Sequence, residues 1–376
     1  MTLIDNYAKI AIEILQLHIE SLGFKPVVHF ELEGGYVGTS ENANAHSIDF
    51  AMANLELDSY DLQGEIKPEF WPCQWEWASK FEGQSPLKAA NNLARAIKHI
   101  PKVLKNHGAS AVFIRPVIWN GAHGRIASAS QNIPEDNNLP VHVPNSIQIN
   151  VSALNAQNEN AIPIDGLGEI LQNCFLRTSR KCCLLYSPEA EAFERFGLKK
   201  NYNLEKELSS PQDISGGHQG SIALYKEFGK HNQKMGEKSI IYGENGEEIM
   251  VSYDWKPLSR VEHRLGSASL QYNPFVNTVF ALANLSDAIM INSKAHKPYW
   301  TSEEQNFELP TSLLDAYELF EQSNWFESKI NEVAKFASDY KLSKSKTIGF
   351  KNLGTLLKNE ILQSKLYDNL CSRQIP

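Results

Sequence analysis

Short segments that alternate apolar and polar residues predict β-strands, because successive side chains of a strand point to opposite faces. The segment VVHFELEGGY (27–36) places its apolar residues on one face and His29, Glu31 and Glu33 on the other. Like charges on one face repel, and burying them is costly unless a positive group lies between them. The pattern therefore predicts a cationic partner for Glu31 and Glu33.

Three further segments alternate in the same way. Their polar faces carry Gln74 and Glu76, then Gln148, Asn150 and Ser152, then Arg260, Glu262 and Arg264. Each strand alone is typical of an antiparallel sheet with one face in water. Taken together, the carboxylates on these short segments suit Mg²⁺ or Mn²⁺, because both cations prefer oxygen ligands. The predicted metal ligands include Glu31, Glu33, Glu69, Glu76 and Glu262.

Apolar residues at helical spacing predict helices over residues 4–22 and 85–108, ended by Gly23 and Gly108. Residues 165–198 are mainly helical by the same pattern, and the last third of the chain is mostly helical. Asn273-Pro274 predicts a helix start, a capping residue followed by a first-turn proline. Helices mixed with hairpin-rich strands predict the α+β class.

The remaining segments set the domain organisation. SAVFIRPVIW (110–119) is predicted to be a buried strand, and SIIYGENGEEIMVSY (239–253) a hairpin turning at Asn-Gly. Residues 119–144, polar and Asn/Pro-rich, are predicted to be a loop, and residues 199–238, rich in Gly, Ser and Lys, a mobile insertion. Both interrupt one catalytic domain of residues 1–340. Residues 341–376, with seven Lys or Arg against two Asp or Glu, are predicted to be a basic helical C-terminal tail.

Composition narrows the class of protein. Hydrophobic residues make up 42% of the chain and charged residues 21%, values typical of a globular protein. A formal net charge of −8 argues against a nucleic-acid partner, which demands a basic surface. No secretory signal or membrane-spanning segment is apparent, and five cysteines, two of them adjacent, are typical of reduced thiols. We expect a cytoplasmic protein without nucleic-acid or membrane partners.

Six motifs, in order, resemble the glutamine synthetase and glutamate–cysteine ligase superfamily. RVEHRLGSASLQYNPF resembles the R-[IV]-E-x-R signature and its following N-P-[YF] helix, EFWPCQWEW is similar to E-V-M-P-G-Q-W-E, and ELEG matches the E-x-E strand. NHGASAVFIRP, PEAEAFERF and ELPTSLLDAYELFEQS are similar to three further segments. The chain is identified as a divergent member. The resemblance implies a curved antiparallel sheet with a carboxylate-lined inner face, flanked by helices.

The resemblance also implies site roles. Glu33, Glu69 and Glu76 hold the metal near the amino-acid substrate, which Glu33 also contacts, and Glu31 and Glu262 hold the metal near the phosphates. These roles suit phosphoryl transfer, in which metals and arginines neutralise charge on the transferred group.

Three arginines complete the implied site. Arg195 and Arg264 engage substrate carboxylate or phosphoryl oxygens and act with Glu262 in catalysis, and Arg260 faces the nucleotide. The alternative for Arg195 and Arg260 is an ordinary surface ion pair.

Several departures from the family pattern affect the residues expected to bind the metal and the nucleotide. Gln148 replaces a histidine metal ligand, and Asn150 replaces a nucleotide-contacting histidine. A glutamine carbonyl can ligate Mg²⁺, so Gln148 stays among the predicted ligands. An alternative alignment offers His123 instead. His218 replaces a phosphate-binding arginine, and Cys73 replaces a turn glycine.

The leading hypothesis is an ATP- and Mg²⁺- or Mn²⁺-dependent ligase that joins a small-molecule carboxylate to an amine through an acyl phosphate. The alternatives are a metal-dependent amide hydrolase and a non-catalytic regulatory protein that binds a nucleotide or an amino acid. The sequence starts at the helix before the E-x-E strand, so the family's N-terminal β-grasp domain is expected to be absent. We expect a homo-oligomer smaller than a dodecamer, with the site roofed by residues 119–144 and 199–238.

Overall fold

The computed structural model describes residues 2–372 apart from residues 39–47, 70–72, 81–82, 121–140, 203–220, 227–236, 243–244, 246–247, 253–255, 295–307 and 340–351. Helices within this part of the chain are α1 (Leu3–Ser21), α2 (Phe50–Ser59), α3 (Pro86–Asn106), α4 (Leu167–Ser179), α5 (Ala190–Tyr202), α6 (Pro274–Asn292), α7 (Leu313–Gln322), α8 (Trp325–Asp339) and α9 (Leu353–Ser372). Strands are β1 (Lys25–Gly38), β2 (Gly64–Pro68), β3 (Gln74–Ser79), β4 (Ala109–Phe113), β5 (Val117–Asn120), β6 (Val141–Pro144), β7 (Ser146–Leu154), β8 (Ile222–Tyr225), β9 (Glu237–Tyr242), β10 (Glu248–Ser252) and β11 (Arg260–Ser267).

The main sheet is antiparallel, with strand order β2-β3-β1-β7-β11-β8, and β4 pairs with the end of β1. The alternation in the sequence predicts both faces of β1, β3, β7 and β11. On β3, Trp75 and Trp77 lie fully buried on the apolar face, away from Glu76. This mixture of helices and antiparallel sheet confirms the predicted α+β class.

Helices cover the apolar face of the sheet. α1 and α3 pack against β1, α4 packs against β11 and β8, and α6 packs against β7 and against α1, α3 and α4. α6 is buried from Pro274 to Ile289, because it is mostly apolar and other helices surround it. It is long and apolar enough to cross a membrane, but 89% of that apolar window is buried inside the protein. It is therefore the central core helix.

Two predicted helix starts are confirmed with their caps. Ser85 accepts a hydrogen bond from the N–H of Lys88, and Pro86 opens α3. Asn273 accepts hydrogen bonds from the N–H groups of Phe275 and Val276 at the start of α6. Each cap satisfies N–H groups that have no partner within the first helical turn.

The predicted strand over residues 110–119 is divided in two. β4 ends at Phe113, and β5 begins at Val117 and pairs with β6 in a separate two-stranded sheet. Pro116 lies between them and has no N–H to continue a ladder. The predicted loop at 119–144 thus begins and ends in paired strands, and residues 121–140 lie outside the described residues.

The predicted insertion at 199–238 also contains regular structure. β8 (Ile222–Tyr225) pairs with β11 and is an edge strand of the main sheet, so the prediction of a mobile segment is wrong for these residues. The strand has only four residues and lies between polar segments, so its pattern was not recognised in the sequence. Three of its side chains are buried: Ile222, Ala223 and Tyr225. The predicted hairpin at 239–253 is confirmed, since β9 pairs with β10.

The predicted C-terminal tail is helical but packs into the helical layer. α9 contacts α8 and α1, and it buries Leu353 and Leu357 completely. Its Lys358, 5% exposed, donates hydrogen bonds to the carbonyls of Glu321 and Ser323. The excess of Lys and Arg in this segment therefore does not mark a separate basic tail over the described residues 352–372.

Candidate functional site

The register of the main sheet brings the predicted polar residues together on one face. Glu33 on β1 lies opposite Glu76 on β3, and Glu31 lies opposite Gln148 on β7. On the other side of β7, Asn150 lies opposite Glu262 of β11. Directly opposed side chains share a face and are close neighbours. The polar face contains two groups of side chains, which differ in the positive groups that lie beside their carboxylates.

We call the first group the arginine half; it comprises Glu31, Asn150, Arg260, Glu262 and Arg264. Glu262 is fully buried, with Oε2 3.3 Å from Nη2 of Arg260 and Oε1 3.2 Å from Nε of Arg264. Asn150 accepts a hydrogen bond from Nε of Arg260 at 2.6 Å and donates one to Oε1 of Glu31 at 3.2 Å. Two guanidiniums thus neutralise Glu262, and an amide links them to Glu31.

Tyr225 fixes the position of Arg260. The residue lies opposite Arg260 in the β8–β11 pairing, and the guanidinium stacks 4.4 Å from the centre of the tyrosine ring. The carbonyl of Leu258 accepts a further, longer hydrogen bond from Nη1 at 3.4 Å. Contacts on several sides hold the guanidinium in one orientation, which lowers the entropy it loses on binding Glu262.

We call the second group the carboxylate half; it comprises Glu33, Glu69, Glu76, Lys67 and Gln148. Nζ of Lys67 lies 2.9 Å from Oε2 of Glu76, and Nε2 of Gln148 donates to Oε1 of Glu33 at 2.9 Å. Gln148 is 1% exposed, and within the described residues no donor reaches its Oε1. This half holds a buried acceptor oxygen beside an excess of carboxylates.

Glu33 experiences that excess directly. Burial, followed by repulsion from Glu76, raises the pKa of the Glu33 carboxyl from 4.5 to about 7, and Glu69 adds to the repulsion. Arg195 and the backbone N–H of Ser146, which donates to Oε2 of Glu33 at 2.7 Å, oppose the rise. Burial and the neighbouring carboxylates thus both disfavour the ionised form of Glu33.

Comparison with solved structures identifies the fold. A cryo-EM structure of Plasmodium falciparum glutamine synthetase is similar over 98% of this chain and 77% of that chain, with a TM-score of 0.58 and 10% identity. The chain has the glutamine synthetase fold. A novel glutamine synthase homologue is similar over 93% of this chain and 74% of that one, with a TM-score of 0.57 and 13% identity.

A third similar structure is that of GmaS in a complex with ADP, at a TM-score of 0.53 and 14% identity, covering 90% of this chain and 75% of the other. No protein-family model and no curated protein matches the sequence. The similarity thus lies in the glutamine synthetase fold, and it confirms the resemblance that the ordered motifs indicated.

The turn before β3 shows how the fold accommodates a departure from the family pattern. Cys73 has a φ of +62°, in the left-handed region that glycine adopts without strain. Its carbonyl accepts a hydrogen bond from the N–H of Tyr36 at 2.9 Å, and the N–H of Glu69 donates to the carbonyl of Gln74 at 3.1 Å. Cys73 therefore keeps the backbone turn at some conformational cost.

Arg195 binds the backbone of β11. Its side chain is 2% exposed, and its Nη groups donate to the carbonyls of Arg264, Leu265 and Gly266 at 3.1 to 3.2 Å. The β7–β11 register shifts between His263 and Gly266. Arg195 therefore supports the irregular part of β11, and its positive charge also acts on Glu33.

The other predicted residues are found as follows. The structure brings together Glu31, Glu33, Glu76, Gln148, Asn150, Arg260, Glu262 and Arg264 on one face, and Glu69 lies near enough to act on Glu33. His123 and His218 lie outside the described residues. Sequence reasoning missed Lys67 and Tyr225. Alternation within GEIKP could have put Lys67 on a polar face, but no sequence signal shows that β2 pairs with β3.

The two halves differ in how well they suit a divalent cation. Among the described residues, no three His, Cys, Asp or Glu side chains lie close enough to hold a metal. The carboxylate half suits one by the chemistry of its donors, with Glu33, Glu76 and the buried Oε1 of Gln148. The arginine half suits one less well, because the guanidiniums of Arg260 and Arg264 already form ion pairs with Glu262.

Proposed function

We propose that the protein is a glutamine synthetase-like carbon–nitrogen ligase that uses ATP, with Mg²⁺ or Mn²⁺, to join a small-molecule carboxylate to an amine. One observation carries the proposal: a sheet of the glutamine synthetase fold brings carboxylates and arginines from β1, β3 and β11 to one face. Clustered buried charge is costly, and functional sites are where proteins retain it.

The reaction has two steps. A carboxylate oxygen of the substrate attacks the γ-phosphorus of ATP, ADP leaves, and an acyl phosphate forms. The amine nitrogen then attacks the acyl carbon, phosphate leaves, and the amine loses a proton to solvent. Negative charge develops on the phosphoryl oxygens in the first step, and fixed positive groups stabilise it.

In this proposal Arg264 supplies that positive charge. It is 6% exposed, and its Nε lies 3.2 Å from Oε1 of Glu262, an ion pair that limits the movement of the guanidinium. Arg195 keeps Arg264 in place through the backbone carbonyl of Arg264. A group held in advance does not have to reorganise as charge develops.

A divalent cation would be held in the carboxylate half by Glu33, Glu76 and Oε1 of Gln148, with the charge of Glu69 nearby. When bound, it would neutralise phosphoryl charge. Rotation of the Gln148 amide would exchange Nε2, which now donates to Glu33, for Oε1. ATP as co-substrate is supported by the similar structure of GmaS with ADP.

A screen of amino acids against amines tests the proposal by scoring ADP release together with a product of the condensed mass. We expect both only when carboxylate and amine are present together. Arg264→Ala should lower turnover at least 100-fold, since one lost transition-state contact costs on that order. The matched control is Arg95→Ala, which removes an exposed arginine paired with Asp61. ATP turnover that is absent with every pair would refute the ligase.

A second function is favoured by the arginine half. Because Glu262 already forms ion pairs with two guanidiniums, the site also suits a regulatory protein that binds a nucleotide or an amino acid without turnover. Calorimetric binding of ATP without ADP release in the same screen would favour it. Release of an amine from a γ-glutamyl amide would instead favour the amide hydrolase.

We further propose that the protein acts in the cytoplasm as a homo-oligomer smaller than a dodecamer. Cys174, Cys182 and Cys183 are buried free thiols, which suit a reducing compartment. Mass photometry measures the assembly, and a stable particle of twelve subunits would contradict this size.

A further inference from the structure

Helix α3 presents a row of positive charges to solvent. It contains four lysines and Arg95 but no aspartate or glutamate, a formal charge of +5 in a chain whose formal net charge is −8. Its apolar residues are buried against the core, and its four lysines are all exposed: Lys88, Lys98, Lys102 and Lys105. Within the described residues, Arg95 is the one member of this set that forms an ion pair, with Asp61. The lysines therefore leave uncompensated positive charge on the surface.

Spacing concentrates this charge on one side of the helix. Lys98, Lys102 and Lys105 are separated by four and three residues, so their side chains are neighbours. Like charges at this spacing repel and destabilise a helix slightly. His99 lies among the same charges, since desolvation, followed by Lys98, Lys102 and Arg95, lowers the pKa of its imidazole. An anionic surface against this side of α3 would therefore be stabilising.

Helix α7 presents the opposite charge. Its ten residues include three carboxylates and no lysine or arginine. Leu314, Glu318 and Glu321 lie on one side of the helix, at spacings of four and three residues, and all three are exposed. Within the described residues, neither Glu318 nor Glu321 forms an ion pair, whereas the carboxylate of Asp315 accepts a hydrogen bond from Oγ1 of Thr311 at 2.8 Å. The outer face of α7 thus complements that of α3 in charge.

Two helices separate α3 from α7 within one chain. α1 packs against both α3 and α9, and α9 packs against α7. Neighbouring helices lie about 8–10 Å apart between their axes, which places α3 and α7 roughly 20 Å from each other. Charges that far apart are screened, because the Debye length is about 8 Å at physiological ionic strength. The two faces therefore do not neutralise each other inside one chain, but they can do so between two chains.

We propose that α3 of one chain docks on α7 of a second copy in a head-to-tail contact. Lys98 and Lys102 then lie against Glu318 and Glu321 of the second copy. Leu314 of the second copy packs on the aliphatic part of the lysine side chains. A contact between two different surfaces leaves one α3 and one α7 unoccupied in a dimer, so assembly continues until a ring closes. The inference rests on the homo-oligomer that accompanies the proposed function, and it adds the surfaces that hold the chains together.

A second copy suits α3 better than a nucleic acid or an anionic membrane does. The chain outside α3 has a formal charge of −13, the difference between −8 and +5, so most of its surface repels phosphate groups. A second copy supplies carboxylates at helical spacing, and the contact also covers Leu314, which is 40% exposed. Charge complementarity thus favours a contact between copies of this chain.

Charge reversal in the full chain tests the contact, with the assembly measured by sedimentation velocity. We expect a wild-type oligomer whose dissociation constant rises with the salt concentration. Lys98→Glu combined with Lys102→Glu should raise the dissociation constant at least about tenfold, because like charges opposed across an interface are strongly unfavourable. The matched control combines Lys294→Glu with Lys335→Glu. It reverses two exposed lysines elsewhere, changes the net charge by the same amount, and should assemble as the wild type does.

Rescue distinguishes a second copy from any other partner. Glu318→Lys combined with Glu321→Lys should also dissociate the oligomer. The variant with a reversed α3 has two acidic helices, and the variant with a reversed α7 has two basic ones. A mixture of the two variants should therefore assemble although neither does so alone. The chain with all four substitutions should assemble for the same reason, because opposite charges again face each other.

The other results overturn the inference in distinguishable ways. An oligomer that both reversals leave intact would refute this contact alone, and a wild-type monomer would refute the proposed homo-oligomer as well. Dissociation without rescue in the mixture would show that α3 binds a different acidic surface. A wild-type monomer that binds duplex DNA or phosphatidylserine vesicles, and loses that binding when α3 is reversed, would assign α3 to that partner instead.

Circular dichroism shows whether each variant folds, as expected for substitutions of exposed side chains. If the reversed α3 does not fold, Lys98→Gln combined with Lys102→Gln removes the charge without placing carboxylates there. This milder variant should still weaken assembly, and assembly equal to that of the wild type would overturn the inference. The measurement requires no turnover, so failure of the ligase screen would refute the proposed ligase and leave this contact standing.

Discussion

The two halves of the polar face have similar alternating sequence patterns but differ in the groups that neutralise their carboxylates. In the arginine half, Glu262 has a guanidinium at each oxygen and is fully buried. In the carboxylate half, Glu33 faces Glu76 directly, and Lys67, whose side chain is 55% exposed, is the ammonium paired with Glu76. Like charges opposed across strands repel, and exposed ion pairs contribute little. Internal charge thus stabilises the arginine half, whereas the carboxylate half depends on protonation or a cation.

The comparison teaches that one sheet face can combine carboxylates that are neutralised internally with carboxylates that repel each other. The arginine half holds β7, β11 and β8 together through side chains. The carboxylate half accepts repulsion between β1 and β3, which is typical of sites that bind charged ligands. Four substitutions test this contrast, and they follow in order of decreasing expected effect on stability.

Glu262→Ala should break the arginine half. The substitution leaves Arg260 and Arg264 without their shared carboxylate, and removing one partner of a buried ion pair is strongly destabilising. We expect the free energy of unfolding to fall by about 3 kcal/mol. Urea unfolding measures it, with the exposed Glu65→Ala on β2 as control. If Glu262→Ala lowered the free energy of unfolding no more than Glu65→Ala does, the arginine half would not be stabilised by its internal ion pairs.

Glu33→Gln should stabilise the carboxylate half at high pH. Because the folded-state pKa is raised to about 7 from 4.5, the folded protein holds a proton that the unfolded chain has lost. This contribution is complete below pH 4.5 and is lost as the pH rises through 7. In metal-free buffer at pH 8 we expect a gain of about 1–2 kcal/mol, after allowing for one lost hydrogen bond.

Chemical unfolding with chelator at pH 8 and at pH 5 measures this effect. The gain should shrink at pH 5, where the carboxyl of the wild-type protein is protonated. Added Mg²⁺ should stabilise the wild-type protein more than Glu33→Gln, because only a ligand that binds the folded state raises stability. A gain that is independent of pH would contradict the assignment to Glu33.

Cys73→Gly should relax the turn that leads to Glu76. Cys73 has a φ of +62°, which glycine adopts without the steric cost of a Cβ atom. The greater entropy of glycine in the unfolded chain offsets part of the gain, so we expect about 0.5 kcal/mol of stabilisation. Thermal unfolding measures it, and Cys73→Ala is the matched control that keeps the Cβ. Equal stability of the two variants would contradict strain at this position.

Lys67→Met should change cation binding more than folding. The Lys67–Glu76 pair is partly exposed, so its loss should cost less than about 0.5 kcal/mol. Removal of the ammonium frees Glu76, and we expect Mn²⁺ to bind several-fold more tightly. Calorimetric titration measures the affinity. Weaker Mn²⁺ binding in Lys67→Met would show that Lys67 supports the cation instead of competing with it.

Much of the fold could be predicted from local sequence. Alternation puts Glu31 and Glu33 on one face of β1 and Trp75 and Trp77 opposite Glu76 on β3, because a strand has a period of two residues whatever its neighbours are. Capping by Asn273 and the proline that follows it predict the start of α6 for an equally local reason. Motif order along the chain indicated the glutamine synthetase fold.

The charge partners could not be predicted in this way. Lys67 reaches Glu76 because β2 pairs with β3, and Tyr225 reaches Arg260 because the short β8 joins β11. Arg195 binds the carbonyls of β11 although 69 residues separate it from Arg264. Such pairings depend on strand order and register, which no local pattern encodes.

Sequence by itself determined which side chains share a face and therefore that Glu31 and Glu33 require compensation. Tertiary structure alone decided what compensates each one. Glu31 meets the amide of Asn150, which also binds Arg260, while Glu33 meets another carboxylate, Glu76. The physical reason is that Coulomb energy depends on distance and burial, and both are set by which strand lies alongside.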